Sequence, residues 1–454
     1  MKRLGRWFWL AGLVFVIVMV AVACGEDEEG PAEGETPGAT EPSETQEPTG
    51  ELKTDFGVTD TEIKLGMTLA QSGNPSASGY AAIATAVQAY FAKVNQEDEG
   101  VCDRQINVTL ADDQYDPALA LELATRLAVQ DQVVAFVGNL GTPAVTGQVD
   151  YINDPNADGD TSDGIPHLYL STGASKWDNP EQWPWTIGYI PDYVFEGSVL
   201  GRVVNENFPG QSAAILYQND DFGQDGRQGF TSVFEGEVIA EQSYEATAAE
   251  IDSQMANLRA TNPDILLLYT LPLITADAVR YMQANDWHPQ VVWGYINPNT
   301  LLGALLGGAG GPEAGYQQIA GNISTNYILD TVGDADNPAM VEHVRIMGQY
   351  GGPDPVSQLS VYGQSLAELM VETLDIACQN GDMTRAGVLE AAESIQGYTS
   401  DLYLPGIEVN LSDTDHFAIQ DLQPVRFRAD GTLETLGELV NAEDVVAEGD
   451  STPE

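Results

Sequence analysis

Short apolar runs alternate with longer amphipathic stretches over most of the chain. Residues 63–69, Ile63-Lys64-Leu65-Gly66-Met67-Thr68-Leu69, predict a strand, and the apolar spacing over 80–95 predicts a helix. Residues 106–111 predict a second strand and 117–130 a second helix. Residues 133–138 predict a third strand, with a helix after Pro143, and 167–170 a fourth. This βαβαβαβ order implies an α/β fold, a parallel sheet covered by helices on both faces. A similar series restarts at 213–217 and continues at 265–269 and 291–293, so two such lobes lie in tandem. Amphipathic helices over 340–350 and 361–378 must join one lobe or the other.

The two ends follow a different pattern. Lys2, Arg3 and Arg6 precede an apolar run over 7–23, the order of an export signal. The run ends in Ala21-Val22-Ala23-Cys24-Gly25, which resembles a bacterial lipobox. About 17 apolar residues could just span a bilayer. Against that alternative, the small residues stop at the cysteine, and Gly25-Glu26-Asp27-Glu28-Glu29 follows with no basic flank. The resemblance implies that residues 1–23 are removed and that Cys24 carries a diacylglycerol, whose two chains suffice for stable anchoring. Residues 24–55 are rich in Glu, Pro, Thr and Gly and read as a disordered acidic tether. Its r.m.s. reach is about 30 Å. Residues 442–454 form a shorter acidic tail.

A mature chain of about 430 residues exceeds one core and fits two lobes. Its 69 acidic residues against 17 basic ones give a formal net charge of −52. Nucleic acid and anionic lipid surfaces would be repelled, which excludes them as partners. With Cys24 lipidated, Cys102 and Cys378 remain, either as a disulfide in an oxidising compartment or as two buried thiols.

In open parallel sheets, ligands bind beyond the carboxyl ends of the strands. Three loops at such ends are rich in small and hydroxyl residues. Ala70-Gln71-Ser72-Gly73-Asn74-Pro75 runs on to Ser78 and Gly79; the others are Gly138-Asn139-Leu140-Gly141-Thr142-Pro143 and Ser171-Thr172-Gly173-Ala174-Ser175. Thr142 is placed to cap a helix beginning at Pro143, whose dipole favours a carboxylate. Asp154, Asn156 and Asp158 stand at positions 1, 3 and 5 of a calcium-loop pattern, with Gly159 at 6. Position 12 is Ile165 where a bidentate Glu is needed, leaving Asp160 and Asp163 as substitutes; the alternative is an acidic surface insertion. Any such calcium is structural, and no other cofactor is expected. An enzyme is not expected either: there is no Gly-x-Ser-x-Gly elbow, and the four histidines are scattered. His167, beside Pro166, reads as a packed residue at a sheet edge.

Several stretches resemble the branched-chain amino-acid-type substrate-binding proteins of ABC transporters, which are type I periplasmic binding proteins. They are Ser171-Thr172-Gly173-Ala174-Ser175-Lys176, Trp183-Pro184-Trp185-Thr186-Ile187-Gly188 and Leu216-Tyr217-Gln218-Asn219-Asp220-Asp221-Phe222-Gly223. Gly57-Val58-Thr59-Asp60-Thr61-Glu62-Ile63 and Leu404-Pro405-Gly406-Ile407 extend the resemblance over about residues 56–440. It implies two Rossmann-like lobes on a three-strand hinge, with crossovers near 189–191, 321–325 and 398–402. Lobe 1 is then 56–189 with 324–399, and lobe 2 is 190–323 with 400–441. Cys102 and Cys378 fall in the same lobe, which makes a disulfide between them geometrically reasonable.

By the same resemblance, Asn139, Leu140, Gly141, Thr142, Ser171 and Thr172 hold a ligand carboxylate, with Gln71, Ser72 and Ser78 beside them. A tyrosine often stands where this chain has Ser78. Lobe 2 contributes Phe222, Thr270, Leu271, Tyr295 and Asn297. The acid that holds an ammonium group is absent from Gly294-Tyr295-Ile296-Asn297. Either Asp220 or Asp221 replaces it, or the ligand is not an α-amino acid. The expected function is a lipid-anchored, monomeric solute-binding subunit outside the cytoplasmic membrane, serving an ABC permease and ATPase. Its solute is a branched-chain or other amino acid, or alternatively an amide, a urea-like solute or a small carboxylate. A sensory receptor without transport is a further alternative.

Overall fold

The computed structural model describes residues 52–74, 77–353 and 356–442, without the side chains of Ala77 and Ser78. The expected signal peptide, Cys24, most of the tether and the tail from 443 lie outside the described residues.

The first half of the chain runs β1 (Lys53–Thr54), β2 (Glu62–Leu69), α1 (Ala81–Glu97), β3 (Gln105–Asp112) and α2 (Pro117–Arg126). It continues with β4 (Ala135–Val137), α3 (Thr142–Asn153), β5 (His167–Leu170) and β6 (Thr186–Gly188). Five of these strands form a parallel sheet in the order β3-β2-β4-β5-β6. Ile63, Leu65, Met67 and Leu69 of β2 are all fully buried. Adjacent side chains of a strand face opposite ways, and Gly66 and Thr68 between them are buried too, so helices must cover both faces.

The second half repeats the plan. After α4 (Tyr193–Asn207) come β7 (Ala213–Gln218), α5 (Asp221–Val233), β8 (Val238–Tyr244), α6 (Asp252–Ala260), β9 (Ile265–Tyr269) and α7 (Pro272–Ala284). Then follow β10 (Gln290–Trp293), α8 (Asn299–Gly307), α9 (Pro312–Ile319) and β11 (Ile323–Asn326). The order β8-β7-β9-β10-β11 reproduces that of the first sheet, strand for strand.

The chain then returns to lobe 1. There α10 (Pro338–Tyr350) and α11 (Gln358–Gln379) pack on α1, and β12 (Asp382–Met383) and α12 (Arg385–Glu393) follow. Finally β13 (Asp421–Phe427), β14 (Leu433–Thr435) and β15 (Val440–Asn441) extend the lobe 2 sheet, β13 running antiparallel to β11. Cys102, before β3, and Cys378, at the end of α11, are joined by a disulfide with Cα atoms 6.0 Å apart.

Two expected boundaries are corrected. The second crossover lies at 327–329, because 323–326 is strand β11 of lobe 2. The third lies at 417–420 rather than 398–402. Tyr398 and Val409 exchange backbone hydrogen bonds, and Leu411 N–H donates to Ile395, which holds 398–411 on lobe 1. The crossing strand then runs beside the first: Ala418 N–H donates to Gly188 and Ile419 N–H to Tyr189. The tether is also shorter than expected. β1 pairs in parallel with β12, and Lys53 Nζ is 2.9 Å from Asp382 Oδ2, so residues 53–54 already belong to lobe 1.

Candidate functional site

In each sheet the first strand has the second on one side and the third on the other, so the helices that follow leave in opposite directions and open a crevice. In lobe 1 that crevice lies between the ends of β2 and β4. Leu140 N–H donates to Thr68, and the chain turns at Gly141, whose φ of 98° favours glycine. A Cβ there would meet the Tyr115 ring at 2.3 Å. Gly141 therefore occupies the position before α3, and Thr142 is the first helical residue rather than the cap. The Thr142 hydroxyl instead lies 2.6 Å from that of Thr172. The Ser171 hydroxyl donates to Gly138 and sits 2.6 Å from the Tyr362 hydroxyl.

Lobe 2 meets this wall with aromatic rings. Tyr193 opens α4, with its centroid 5.0 Å from that of Phe222 and 6.1 Å from that of Tyr295. Tyr295 stands edge-on to Tyr327 at 5.3 Å. Between the walls lies a cavity. Tyr80, Ile83, Tyr115, Leu140, Gly141, Thr142, Ser171, Gln358, Leu359 and Tyr362 line it from lobe 1. Tyr193, Phe222, Leu271, Tyr295, Ile296, Pro298 and Asn326 line it from lobe 2, and Ile190, Tyr327 and Ile328 from the crossovers. No Asp, Glu, Lys, Arg or His is among these residues.

The lobes touch across the cleft. Lys176 Nζ lies 2.5 Å from Asp221 Oδ2, and Ser175 N–H donates to Asp225 Oδ2 at 2.8 Å. Asn74 Nδ2 donates to Ala246 at 2.9 Å, and the Tyr80 hydroxyl to Ile296 at 3.3 Å. This is a closed arrangement.

Of the residues expected at the site, Leu140, Gly141, Thr142, Ser171, Phe222, Leu271 and Tyr295 meet at the cavity. Gln71 and Ser72 do not. They are exposed, and their N–H groups and the Ser72 hydroxyl are held by the Asp112 carboxylate at the end of β3. Asn139, Thr172, Thr270 and Asn297 are buried one layer behind the wall. Asn139 Oδ1 accepts from Thr68 N–H, the Thr270 hydroxyl pairs with that of Thr275, and Asn297 Nδ2 donates to the Thr270 carbonyl. The Ser78 side chain is outside the described atoms; Tyr80, two residues on, supplies a ring to the wall.

Neither acid expected to replace the ammonium partner lines the cavity. Asp221 is engaged by Lys176. Asp220 caps α5, accepting from Gly223 N–H and from Gln218 Nε2 at 2.6 Å, and burial raises its pKa. A different acid lies behind the aromatic wall. Glu196, fully buried in the first turn of α4, accepts from Tyr295 N–H and the Thr325 hydroxyl, each at 2.6 Å, and from the Tyr269 hydroxyl. Burial lifts its pKa from 4.5 to about 7, against the pull of those donors. Its sequence signal is a lone acid among the apolar residues of 193–201, which sequence reasoning passed over. The tyrosines were missed because a core pattern accounts for them equally well.

His167 is not at an edge. β5 lies between β4 and β6, and the ring is buried against Phe136 with a pKa lowered by burial to about 3. In the Asp-rich loop, Asp154 accepts from the N–H groups of Asp158 and Gly159, Asp158 from that of Asp160, and Asp160 from that of Ser162. Asn156 Nδ2 donates to Asp163 at 2.7 Å. Among the described residues, no group of three or more His, Cys, Asp or Glu side chains is placed to hold a metal ion.

Two parallel-sheet lobes on crossover strands, shut over a cavity at the carboxyl ends of both sheets, define a two-lobed solute-binding protein of type I architecture. The chain belongs to the family described as periplasmic binding protein, which it matches over residues 62–432. That is a family of solute-binding proteins that act outside the cytoplasm.

Solved structures share the fold. One is a branched-chain amino acid ABC transporter protein from Thermus thermophilus with bound valine. It has a TM-score of 0.74 at 15% identity, covering 87% of this chain and 100% of that one. A fatty acid ABC transporter substrate-binding protein from Thermomonospora curvata has a TM-score of 0.72 at 21% identity, covering 87% and 96%. A possible leucine/isoleucine/valine-binding protein from Rhodopirellula baltica SH 1 has a TM-score of 0.69 at 21% identity, covering 85% and 98%. At these identities the likeness is one of fold. No curated protein matches the chain. Among the described residues, no helix is long and apolar enough to cross a membrane.

Proposed function

We propose that the chain is the receptor subunit of an ABC importer, held outside the cytoplasmic membrane by a lipid on Cys24. It works as a monomer, closes its lobes over one small solute, and presents the closed form to a permease driven by a separate ATPase. The observation that carries this reading is the cavity shared by both lobes. A solute touching both walls binds the closed form better than the open one, and that difference drives closure. One similar structure holds bound valine and another is the substrate-binding protein of a fatty acid ABC transporter, which supports a small solute with an apolar body.

The test titrates the full chain with a panel of amino acids, amides, carboxylates and amines, following melting temperature and radius of gyration. A cognate solute raises the first and lowers the second. Cys24→Ala moves the chain from the membrane fraction to the soluble one and leaves the melting shift intact. A panel that moves neither quantity overturns the receptor reading.

A further inference from the structure

We infer that Gln358 determines which solutes the cavity accepts: its amide oxygen takes an uncharged hydrogen-bond donor, a hydroxyl or an amide N–H, from the body of the solute. This rests on the receptor reading above. Gln358 is the first residue of α11, and a capping box between Ser357 and Ser360 fixes that start. It lines the cavity and is only 6% exposed. Its neighbours dictate which way the amide points. The Ile328 carbonyl can only accept, so it takes Asn326 Nδ2 at 2.7 Å and turns Asn326 Oδ1 the other way. That oxygen also only accepts, so it takes Gln358 Nε2 at 2.8 Å and leaves Oε1 as the free end. Asn326 ends β11 of lobe 2, so closing the lobes sets the amide. Among the described residues no donor reaches Oε1.

One turn along, Tyr362 lines the cavity from the same face of α11. Ser171 gives its proton to the Gly138 carbonyl, so in their 2.6 Å contact Tyr362 is the donor and its oxygen keeps only lone pairs. These two side chains thus offer the solute acceptors and no donor. A methyl placed there would leave the acceptors without a partner, and a carboxylate would set acceptor against acceptor; either is costly. A primary ammonium donates too, but shut in a cavity it needs an anion, and none of the described lining residues is charged. A hydroxyl or an amide N–H meets the acceptors without that cost.

Isosteric pairs test the inference on the full chain by calorimetric titration. Valine with threonine and pentanoate with 4-hydroxybutanoate probe a hydroxyl; leucine with asparagine probes an amide. In at least one pair the donor-bearing member should bind at least about tenfold more tightly. Gln358→Met keeps the length of the side chain and removes the oxygen. It should abolish that ratio by weakening the donor-bearing member alone, and Gln358→Leu repeats the comparison if the first variant does not fold. A variant that weakens both members equally leaves Gln358 a structural role only and overturns the inference. So does a ratio that survives the substitution, and so does the lack of a tenfold ratio in every pair that binds. If no pair binds while another solute of the wider panel raises the melting temperature, the inference falls and the receptor reading stands. Only a chain that answers to no solute at all brings down both.

Discussion

The main sheets of lobe 1 and lobe 2 run β2–β6 and β7–β11 in the same order, yet they brace one cavity differently. Lobe 1 shapes its wall with backbone: Gly141 turns the chain, α3 begins there, and the hydroxyls of Thr142 and Ser171 are fixed by neighbours in the same lobe. Both lobes add rings, Tyr80, Tyr115 and Tyr362 from lobe 1 and Tyr193, Phe222 and Tyr295 from lobe 2, and the lobe 2 wall is braced by a buried carboxyl. Glu196 holds the backbone of Tyr295 and the hydroxyl of Tyr269, and a Cβ at Gly294 would lie 2.8 Å from one of its oxygens. An acid expected at the surface of the lobe 2 wall is thus replaced by one behind it. The same fold can aim a carboxylate at a ligand or use it as a brace for apolar residues.

The comparison is tested most severely at that brace. Glu196→Ala leaves three buried donors without their acceptor and should cost about 3 kcal/mol or more, at roughly 1–3 kcal/mol per stranded group. Denaturant unfolding measures it. Glu196→Gln keeps the shape and should cost less, but it also removes a pH dependence. The folded carboxyl titrates near 7 and the unfolded one near 4.5, so folding favours its protonated form. The stability it contributes is therefore present below pH 4.5 and lost as pH rises through 7. Asp113 and Asp192, both raised by burial to about 7, act in the same sense. The melting temperature should fall between pH 5 and 8, and fall less in Glu196→Gln. Identical profiles would show that Glu196 is not the buried titrating brace described here.

The disulfide tests whether a change confined to lobe 1 can spare the cavity. Cys102→Ser with Cys378→Ser should cost about 2–4 kcal/mol, chiefly through the freed unfolded chain. Solute affinity should stay within about twofold. Tyr362 lines the cavity and Cys378 lies sixteen residues further along α11, about 24 Å away at 1.5 Å per residue. A large loss of affinity would mean that α11 transmits strain from its far end to the wall.

Much of this plan is legible in the residues themselves. A strand buried on both faces leaves a short unbroken apolar run, so 265–269 could be read off; 63–69 instead alternates Ile63, Leu65, Met67 and Leu69 with Lys64, Gly66 and Thr68, and needed only Glu62 added. The glycines and hydroxyls of 138–142 and 171–172 likewise pointed to the right end of the sheet. What escaped was whatever lacks a period. Residues 398–416 form neither helix nor regular strand, so nothing in their pattern showed that they stay on lobe 1. Tyr193 and Tyr295 lie beside apolar neighbours, and hydrophobicity alone cannot separate a ring facing a cavity from one facing a core.

The weakest effect is expected at the loop after β2, which shares its sheet edge with the loop after β4. Both loops are rich in small polar residues, and sequence reasoning placed both at the ligand. Their difference lies in where their hydrogen bonds go. Gln71 and Ser72 turn to Asp112, with the Ser72 hydroxyl 2.5 Å from Oδ2, and both remain exposed. Thr142 is buried at the cavity, its hydroxyl paired across to the β5 loop. Ser72→Ala removes one solvent-exposed hydrogen bond and should cost less than about 1 kcal/mol of stability. Solute affinity should stay within about twofold, whereas Thr142→Ala should weaken it by roughly 1–3 kcal/mol. Calorimetric titration of the two variants beside the parent chain decides the matter. Equal losses of affinity would place the loop after β2 at the ligand and end the distinction between these two loops.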